Sequence, residues 1–417
     1  MNPEMLAYPF LFIAIFFESF VLVTLLSKPA RLARLRRAGE RTDESALPSV
    51  AVMVPCWNEA STIGATCDSL LALQYPKEKL EIILVDDGST DTTKEAMSRF
   101  KEHPQIRIIH KENGGKHTAL NAGIAITNAE LIGCLDADSF AEPDALREIV
   151  SCFYNPQVVA ATAAMSIHQP GNILQHMQNA EYAFGITLRH AFASINGLYV
   201  TPGPFSFYRR EIVIALGGFR YGHQTEDMEM ALRIQHAGYE IENAPRARVY
   251  TKAPSTIAKL MNQRTRWISG FLRNILGEYR NLICSRNHGV LGMLILPGAI
   301  LSVASGILLF ALMLFLFARN TVTALEVREG IPLYYALLPH GTLDWFYLPV
   351  GSYTLLAIIV LLASIALITI GRSISKTTGG IFIGLISYTF LYGLITPFWL
   401  FRAVSDVARG KRRGWRY

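Results

Sequence analysis

Four long apolar runs, at residues 6–26, 290–318, 347–370 and 379–401, constrain this chain more than any other feature. Each is at or near the roughly 20 residues that a helix needs to cross a bilayer. A water-soluble domain of 417 residues would normally carry more than the 17% charged residues found here, so the runs are read as membrane segments. Between the first run and the other three, residues 45–285 have the composition of one globular domain.

The first run is not read as a cleaved leader. Its N-terminal flank holds Glu4 and no basic residue, and no small-x-small site separates it from the basic stretch that follows. That stretch (Lys28, Arg31, Arg34, Arg36, Arg37, Arg41) predicts an external N-terminus and a cytoplasmic globular domain. Three further spans would then leave the C-terminus outside, yet the tail (Arg409, Lys411, Arg412, Arg413, Arg416) is basic and prefers the inside. Either run 290–318, interrupted at Pro297 and Gly298, lies partly in the interface or re-enters, or the last run does not fully cross. A cytoplasmic C-terminus is the expectation. Glu18, a costly carboxylate within the first run, is expected either to meet a basic group on a membrane partner or to face inward uncharged. The net charge of +6 comes largely from the two basic flanks and is read as contact with membrane lipid, with no nucleic acid involved. The five cysteines lack metal-like spacing and read as reduced structural thiols.

Within the globular region the pattern changes. "SVAVMVP" from 49, "LEIILV" from 80 and the runs 106–110 and 131–135 are short and β-branched, with helical spacing between them. Alternating strands and helices joined by short loops predict an open parallel sheet. Ligands of such sheets bind beyond the carboxyl ends of the strands. Polar clusters fall at those ends: Asn58 and Glu59, Asp86 and Asp87, Asp136 and Asp138.

Taken singly, "DDGS" or "DAD" is explained by turn geometry. Placed at successive strand ends they point to a site, because buried acids must be paired or hold a cation. An Asp-x-Asp in extended chain aims both carboxylates to one side, where Mg2+ or Mn2+ would share them with diphosphate oxygens. Lys116, in the glycine-rich "NGGKHTALN" ahead of a helix, suits phosphate recognition, although a solvated loop lysine explains it as well when taken alone. His117 reads as structural.

"VPCWNE", "VDDGSTD", "KENGGKHTALNAG" and "DADS", in this order and at these separations, resemble the family 2 glycosyltransferases across residues 49–285. The resemblance implies an α/β GT-A (Rossmann-like) domain, here joined to α-helical transmembrane segments, and a nucleotide-sugar donor. It implies that Trp57, Glu59, Asp86 and Asp87 surround the uridine with Lys116 nearby. It also implies that Asp136 and Asp138 meet the sugar-nucleotide and its metal.

"TED" (Thr225, Glu226, Asp227) opens an amphipathic helix that stops at Gly238. Helix capping explains Thr225 and Glu226. An inverting transfer also needs a carboxylate to deprotonate the acceptor hydroxyl, and "TED" is where processive members of the resembled family carry it; Asp227 is the expected base, with Glu226 beside it. Upstream, the loop "VTPGPFSFYRRE", with Pro204 and Phe205, is a candidate lining for the acceptor sugar.

"QRTRW", residues 263–267, places Gln263, Arg266 and Trp267 at i, i+3 and i+4 on one helical face, with Arg264 and Thr265 pointing elsewhere. Arg and Trp alone would suit a juxtamembrane anchor. Following "TED", they match the Gln-x-x-Arg-Trp signature of the synthases of cellulose, chitin, hyaluronan and poly-N-acetylglucosamine. The resemblance implies Arg266 at the leaving diphosphate and Trp267, with Gln263 and Thr225, at the acceptor. Gly270 is expected to leave room beside the indole.

The expected layout is a membrane helix at 1–27, a basic linker at 28–44, the GT-A domain at 45–270 and an amphipathic interface helix at 271–286. A membrane region with three apolar segments (287–403) and a basic tail (404–417) follow. The expected activity is metal-dependent, inverting polymerisation of a UDP-sugar, N-acetylglucosamine foremost, onto a growing polysaccharide at the bacterial inner membrane. Few spans for an export path lead to the expectation of a dimer or a small membrane subunit. A single-sugar lipid glycosyltransferase and an inactive UDP-binding scaffold are the alternatives.

Overall fold

The computed structural model describes residues 3–27, 44–327, 351–377 and 380–411. The basic linker expected at 28–44 lies almost wholly outside these residues, as do Arg412, Arg413 and Arg416 of the tail.

Eight strands form one sheet: β1 (Val50–Cys56), β2 (Leu80–Asp87), β3 (Ile106–Lys111), β4 (Leu131–Cys134), β5 (Ser139–Ala141), β6 (Val158–Ile167), β7 (Ser206–Arg209) and β8 (Glu240–Thr251). Their order is β3-β2-β1-β4-β7-β6-β8-β5. The first four are parallel, as expected. Beyond β4 the sheet is mixed, since β7 runs antiparallel to both β4 and β6. This departs from the all-parallel expectation. The helix Ile173–Ser194 connects β6 to β7, which then runs back beside β4 with Ser206 paired to Cys134.

The helices are α1 (Tyr8–Ser27), α2 (Ile63–Leu71), α3 (Thr93–Ser98), α4 (Lys116–Ile126), α5 (Ala145–Val150), α6 (Ile173–Ser194) and α7 (Arg210–Ala215). They continue with α8 (Glu226–His236), α9 (Ile257–Leu276), α10 (Leu296–Val327), α11 (Ser352–Ser375), α12 (Phe382–Ser387) and α13 (Gly393–Ala408). Strands β1 and β2 are continuous apolar runs because both of their faces are covered. Val52, Val54, Ile82 and Leu84 serve one core, and Ala51, Met53, Ile83 and Val85 the other. Each fully buried Val, Ile or Leu contributes about 1.5–3 kcal/mol. The five cysteines are free thiols, four of them buried.

Among the described residues, four helical stretches are long and apolar enough to cross a membrane: Met5–Ser27, Leu291–Thr323, Ser352–Ser375 and Phe382–Ala408. Pro297 and Gly298 do not interrupt the second; one π-helical turn (Leu291–Ile295) leads straight into α10. Helices α1 and α11 pair along their length, with Tyr8 against Ser352 at one end. At the other end Val21 and Leu367 pack with Ala191 of α6. Glu18 faces its own chain inside this pair, in line with one of the two expectations: Ser364 of α11 donates to its Oε1 at 2.5 Å, while Oε2 is buried with no hydrogen-bond partner among the described residues.

The last stretch behaves differently. Gly384 lies against the His176 carbonyl of α6, Trp399 and Leu400 cluster with Met177 and Leu260, and Arg273 donates to the carbonyls of Asp406 and Lys411. Both of its ends rest on the globular domain. The segment expected to form its own amphipathic helix at 271–286 instead completes α9 and turns at Gly277. Its apolar face (Phe271, Leu272, Ile275, Tyr279, Leu282) is covered by Leu232 of α8 and by Leu291, Ile295 and Leu296.

Candidate active site

The chain order reverses at β1, with β2 and β3 on one side and β4 on the other, so a crevice opens beyond the ends of β1 and β4. Trp57, 38% exposed, stands at its rim after β1. Asn58 adopts φ +57°, and its side-chain oxygen accepts the Thr90 N–H, which pins the β1 exit to the β2 exit. Asp86 is fully buried; it accepts the Ser89 N–H at 3.0 Å and lies 3.2 Å from His110 Nδ1. Burial opposes its ionisation, but the Ser89 and His110 contacts outweigh this and hold the carboxyl below its usual range. Asp86 is thus a fixed anion at the crevice floor.

Its neighbour has another task. Asp87 accepts the N–H groups of Gly114 and Gly115 at 3.0 and 2.8 Å and pairs with Lys111. Both of its oxygens hold the glycine loop in place, which leaves Asp87 as a loop anchor where contact with the nucleotide was expected. That anchoring presents Lys116 as the first residue of α4, just after Gly115 at φ +90°.

Lys116 forms an ion pair with Asp136 and lies 3.4 Å from Glu226 Oε1. Burial disfavours its charge, but these acids overcome the penalty and raise its pKa. Asp138 is pushed up to about 7, first by burial and then by the charges of Asp136 and Glu59. Glu59 is raised as well, mainly by burial. Three carboxylates therefore crowd one corner, the setting that a divalent cation relieves. Among the described residues no three acidic, histidine or cysteine side chains converge as a metal cage. Asp136 and Asp138 would supply two hard oxygen ligands, leaving the remaining positions to a ligand and water.

Gly203 joins this corner to "TED". A Cβ on it would fall 2.5 Å from Lys116 Nζ and 3.3 Å from the Asp136 oxygens, and its N–H donates to Asp227 Oδ2 at 3.2 Å. Asp227, in the first turn of α8, is pushed up to about 6 by burial and by the Glu226 charge, with Lys116 and Arg266 pulling the other way. Thr225 does not cap α8 with its side chain; its hydroxyl donates back to the Gly222 carbonyl and receives Asn274. Gly270 packs on this hydroxyl: a Cβ there would lie 2.5 Å from Thr225 Oγ1. The room at Gly270 is therefore taken by Thr225, and the expected space beside the indole is not what it provides.

In the pentad, Arg266 donates to the Gln224 carbonyl at 3.0 Å, at the base of "TED". Gln263, Arg266 and Trp267 are half-buried and Arg264 and Thr265 are buried; Arg264 does not point away from the first three as expected, since its guanidinium donates to Gln263 and lies over the Trp267 ring. Trp267 packs beside Met165, Ile167, Tyr182 and Ala253. Pro204 and Phe205 are not available to a sugar. Both are buried, and Phe205, at φ +63°, stacks edge-on against Phe207 in the sheet core. Gly203 and His110 stand at the site without having been expected there. Only the "PGP" turn hinted at the first.

This fold and this crevice define a glycosyltransferase. Residues 48–270 match the family described as glycosyltransferase like family 2, and the chain belongs to that family. It is 31% identical over 246 residues to the poly-beta-1,6-N-acetyl-D-glucosamine synthase of Staphylococcus epidermidis, covering 58% of this chain and 59% of that protein. Against the same synthase of Staphylococcus aureus strain COL it is 32% identical over 236 residues, covering 56% and 57%. The matched region thus spans less than two thirds of these curated relatives. In fold the chain is similar to a mannosyltransferase from Pyrobaculum calidifontis solved in complex with GDP-Man and Mn2+. That likeness has a TM-score of 0.59 and 21% identity and covers 96% of this chain and 99% of the other.

Proposed function

We propose that this glycosyltransferase extends a β-linked polysaccharide of N-acetylglucosamine from UDP-N-acetylglucosamine, with inversion at the anomeric carbon. The observation that carries the reading is the position of Gly203, which holds Asp227 by its N–H and admits Lys116 and Asp136 at its bare Cα. Donor-side and acceptor-side groups meet across one residue.

In this reading Trp57, Glu59, Asp86 and His110 bound the nucleoside end of the crevice. Lys116 and Asp136 lie along the diphosphate, and Asp136 and Asp138 would hold Mg2+ or Mn2+. That ion, when bound, neutralises charge on the diphosphate oxygens. Asp227 takes the proton of the acceptor hydroxyl, whose oxygen forms the new bond to the anomeric carbon as the bond to the diphosphate breaks. Arg266 steadies the departing UDP. Trp267, with Gln263 one helical turn before it, offers an apolar platform to the terminal acceptor sugar, while Thr225 is buried against Gly270 and supports the helix behind it. The test is Asp227→Asn: transfer is lost while UDP affinity stays within about twofold. Full transfer in that variant removes Asp227 as the base.

The reading places the chain in the bacterial inner membrane with its catalytic domain in the cytoplasm. Helices α1, α10 and α11 cross, and α12–α13 lies along the domain surface, supported by the contacts at both of its ends. Three crossings bring the basic tail back to the cytoplasmic side, in accord with its charge. A C-terminal reporter that is active only outside the cytoplasm should stay silent. So small a helix set favours a dimer or a small membrane subunit to complete an export path. Export of polymer by monomers in liposomes would contradict that part.

A further inference from the structure

The pentad holds a second arginine that the reaction does not use. Arg264 is 3% exposed, and its guanidinium lies 4.2 Å from the centroid of the Trp267 ring, one helical turn further on. Its Nη2 donates to Glu181 Oε2 at 2.6 Å and its Nη1 to Gln263 Oε1 at 2.8 Å. Glu181 belongs to α6, so the pair spans from that helix to α9. The other oxygen of Glu181 accepts the Tyr392 hydroxyl at 3.2 Å. Tyr392 closes the π-helical turn Tyr388–Tyr392 between α12 and α13, stacks on Tyr388 at 4.6 Å and meets Trp399 edge-on.

A flat guanidinium under an indole fixes the tilt of the ring, and a lysine cannot replace it because an ammonium has no plane to stack. The Glu181 carboxylate fixes the guanidinium in turn, and π-helical turns recur where a helix has a special task. We propose that the Arg264–Glu181 pair is the support that orients Trp267 toward the acceptor, and that Tyr392 ties this support to the helix lying along the membrane side. Arg264, Glu181 and Tyr392 are positioning residues. Acceptor binding is then set partly by the seating of α12–α13 on the domain. The inference rests on the reading of Trp267 as the acceptor platform.

The test measures steady-state kinetics of the full chain in detergent, with UDP-N-acetylglucosamine as donor and a β-linked N-acetylglucosamine oligomer as acceptor. Arg264→Lys is expected to raise the acceptor KM about tenfold and leave the donor KM within about twofold, because charge is kept and stacking is lost. In a Trp267→Ala background the same change adds less than about twofold, since coupled residues are not additive. Tyr392→Phe, which keeps the ion pair and loses one hydrogen bond, is expected to raise the acceptor KM about threefold. Equal effects of Arg264→Lys in both backgrounds, or an effect on donor KM alone, overturn the support role. An unchanged acceptor KM in Tyr392→Phe overturns the tie to the membrane-side helix. If Trp267→Ala itself leaves the acceptor KM unchanged, the platform reading fails first, and that result is distinguishable from the others.

Discussion

Glu226 Oε1 lies 3.4 Å from Lys116 Nζ, so the helix that carries Asp227 is tied by charge to the glycine loop that opens α4. Lys116 closes a second ion pair with Asp136 and is hemmed in by the bare Cα of Gly203. One ammonium thus serves two acids from different elements, Asp136 just after β4 and Glu226 at the start of α8. Replacing it affects both halves of the site. Lys116→Met is expected to lower kcat/KM for the donor by at least about 100-fold, the scale seen when a charge stabilising a developing anion is removed. Measured kinetics within about threefold of the native values would exclude Lys116 from the donor site.

Asp227 must be ionised to accept a proton, and burial lifts its pKa from 3.8 to about 6. Activity should therefore rise with pH along a limb centred near 6, reported by kcat/KM of the free enzyme. Glu226 raises that pKa by like charge and Lys116 lowers it. Glu226→Gln should move the limb to lower pH, and Lys116→Met to higher pH. A limb that stays in place in both variants would show that another group titrates.

The strand-end clusters were legible in the sequence because their roles are local: each acid follows directly from the strand that carries it. "DADS" after β4 and "TED" at the start of α8 stand where the alternation of elements places them. What escaped was nonlocal. Phe205 looks like a sugar platform in a Pro-Gly loop, but β7 pairing with β4 turns its ring into the core beside Phe207. Gly270 reads from helical spacing as room beside Trp267, whereas Thr225, far away in sequence, fills the space. Asp86 and Asp87 are adjacent and chemically alike, yet alternation along the strand sends one to the crevice and the other to the Gly114–Gly115 loop. The apolar face of residues 271–284 is compatible with a lipid surface or with α8, and periodicity alone does not separate the two.

Gly270→Ala drives a methyl into Thr225 at a buried contact. Overpacking of this kind costs about 1–3 kcal/mol, and here the strain falls on the segment that positions Asp227. Both Tm and kcat should fall. Gly64→Ala is the control: no atom lies within 4 Å of its added Cβ, and it sits inside α2. It should raise stability by up to about 1 kcal/mol and leave kcat unchanged. Similar behaviour of the two variants would deny Gly270 its role in closing α9 on "TED".

Asp138, the second member of the Asp-x-Asp pair, has its carboxyl raised by burial and by neighbouring acids. Chelation should abolish transfer reversibly, and Asp138→Asn should raise the Mg2+ or Mn2+ concentration needed for half-maximal activity about tenfold or more. Transfer that persists in chelator would remove the ion from this corner.

The most direct measurement is the size of the product made by membranes carrying this chain, supplied with radiolabelled UDP-N-acetylglucosamine and Mg2+. A polymerising transferase yields labelled chains of many sugars that disappear in Asp227→Asn. A labelled lipid bearing a single sugar would contradict the central claim, even with every residue of the crevice acting as assigned.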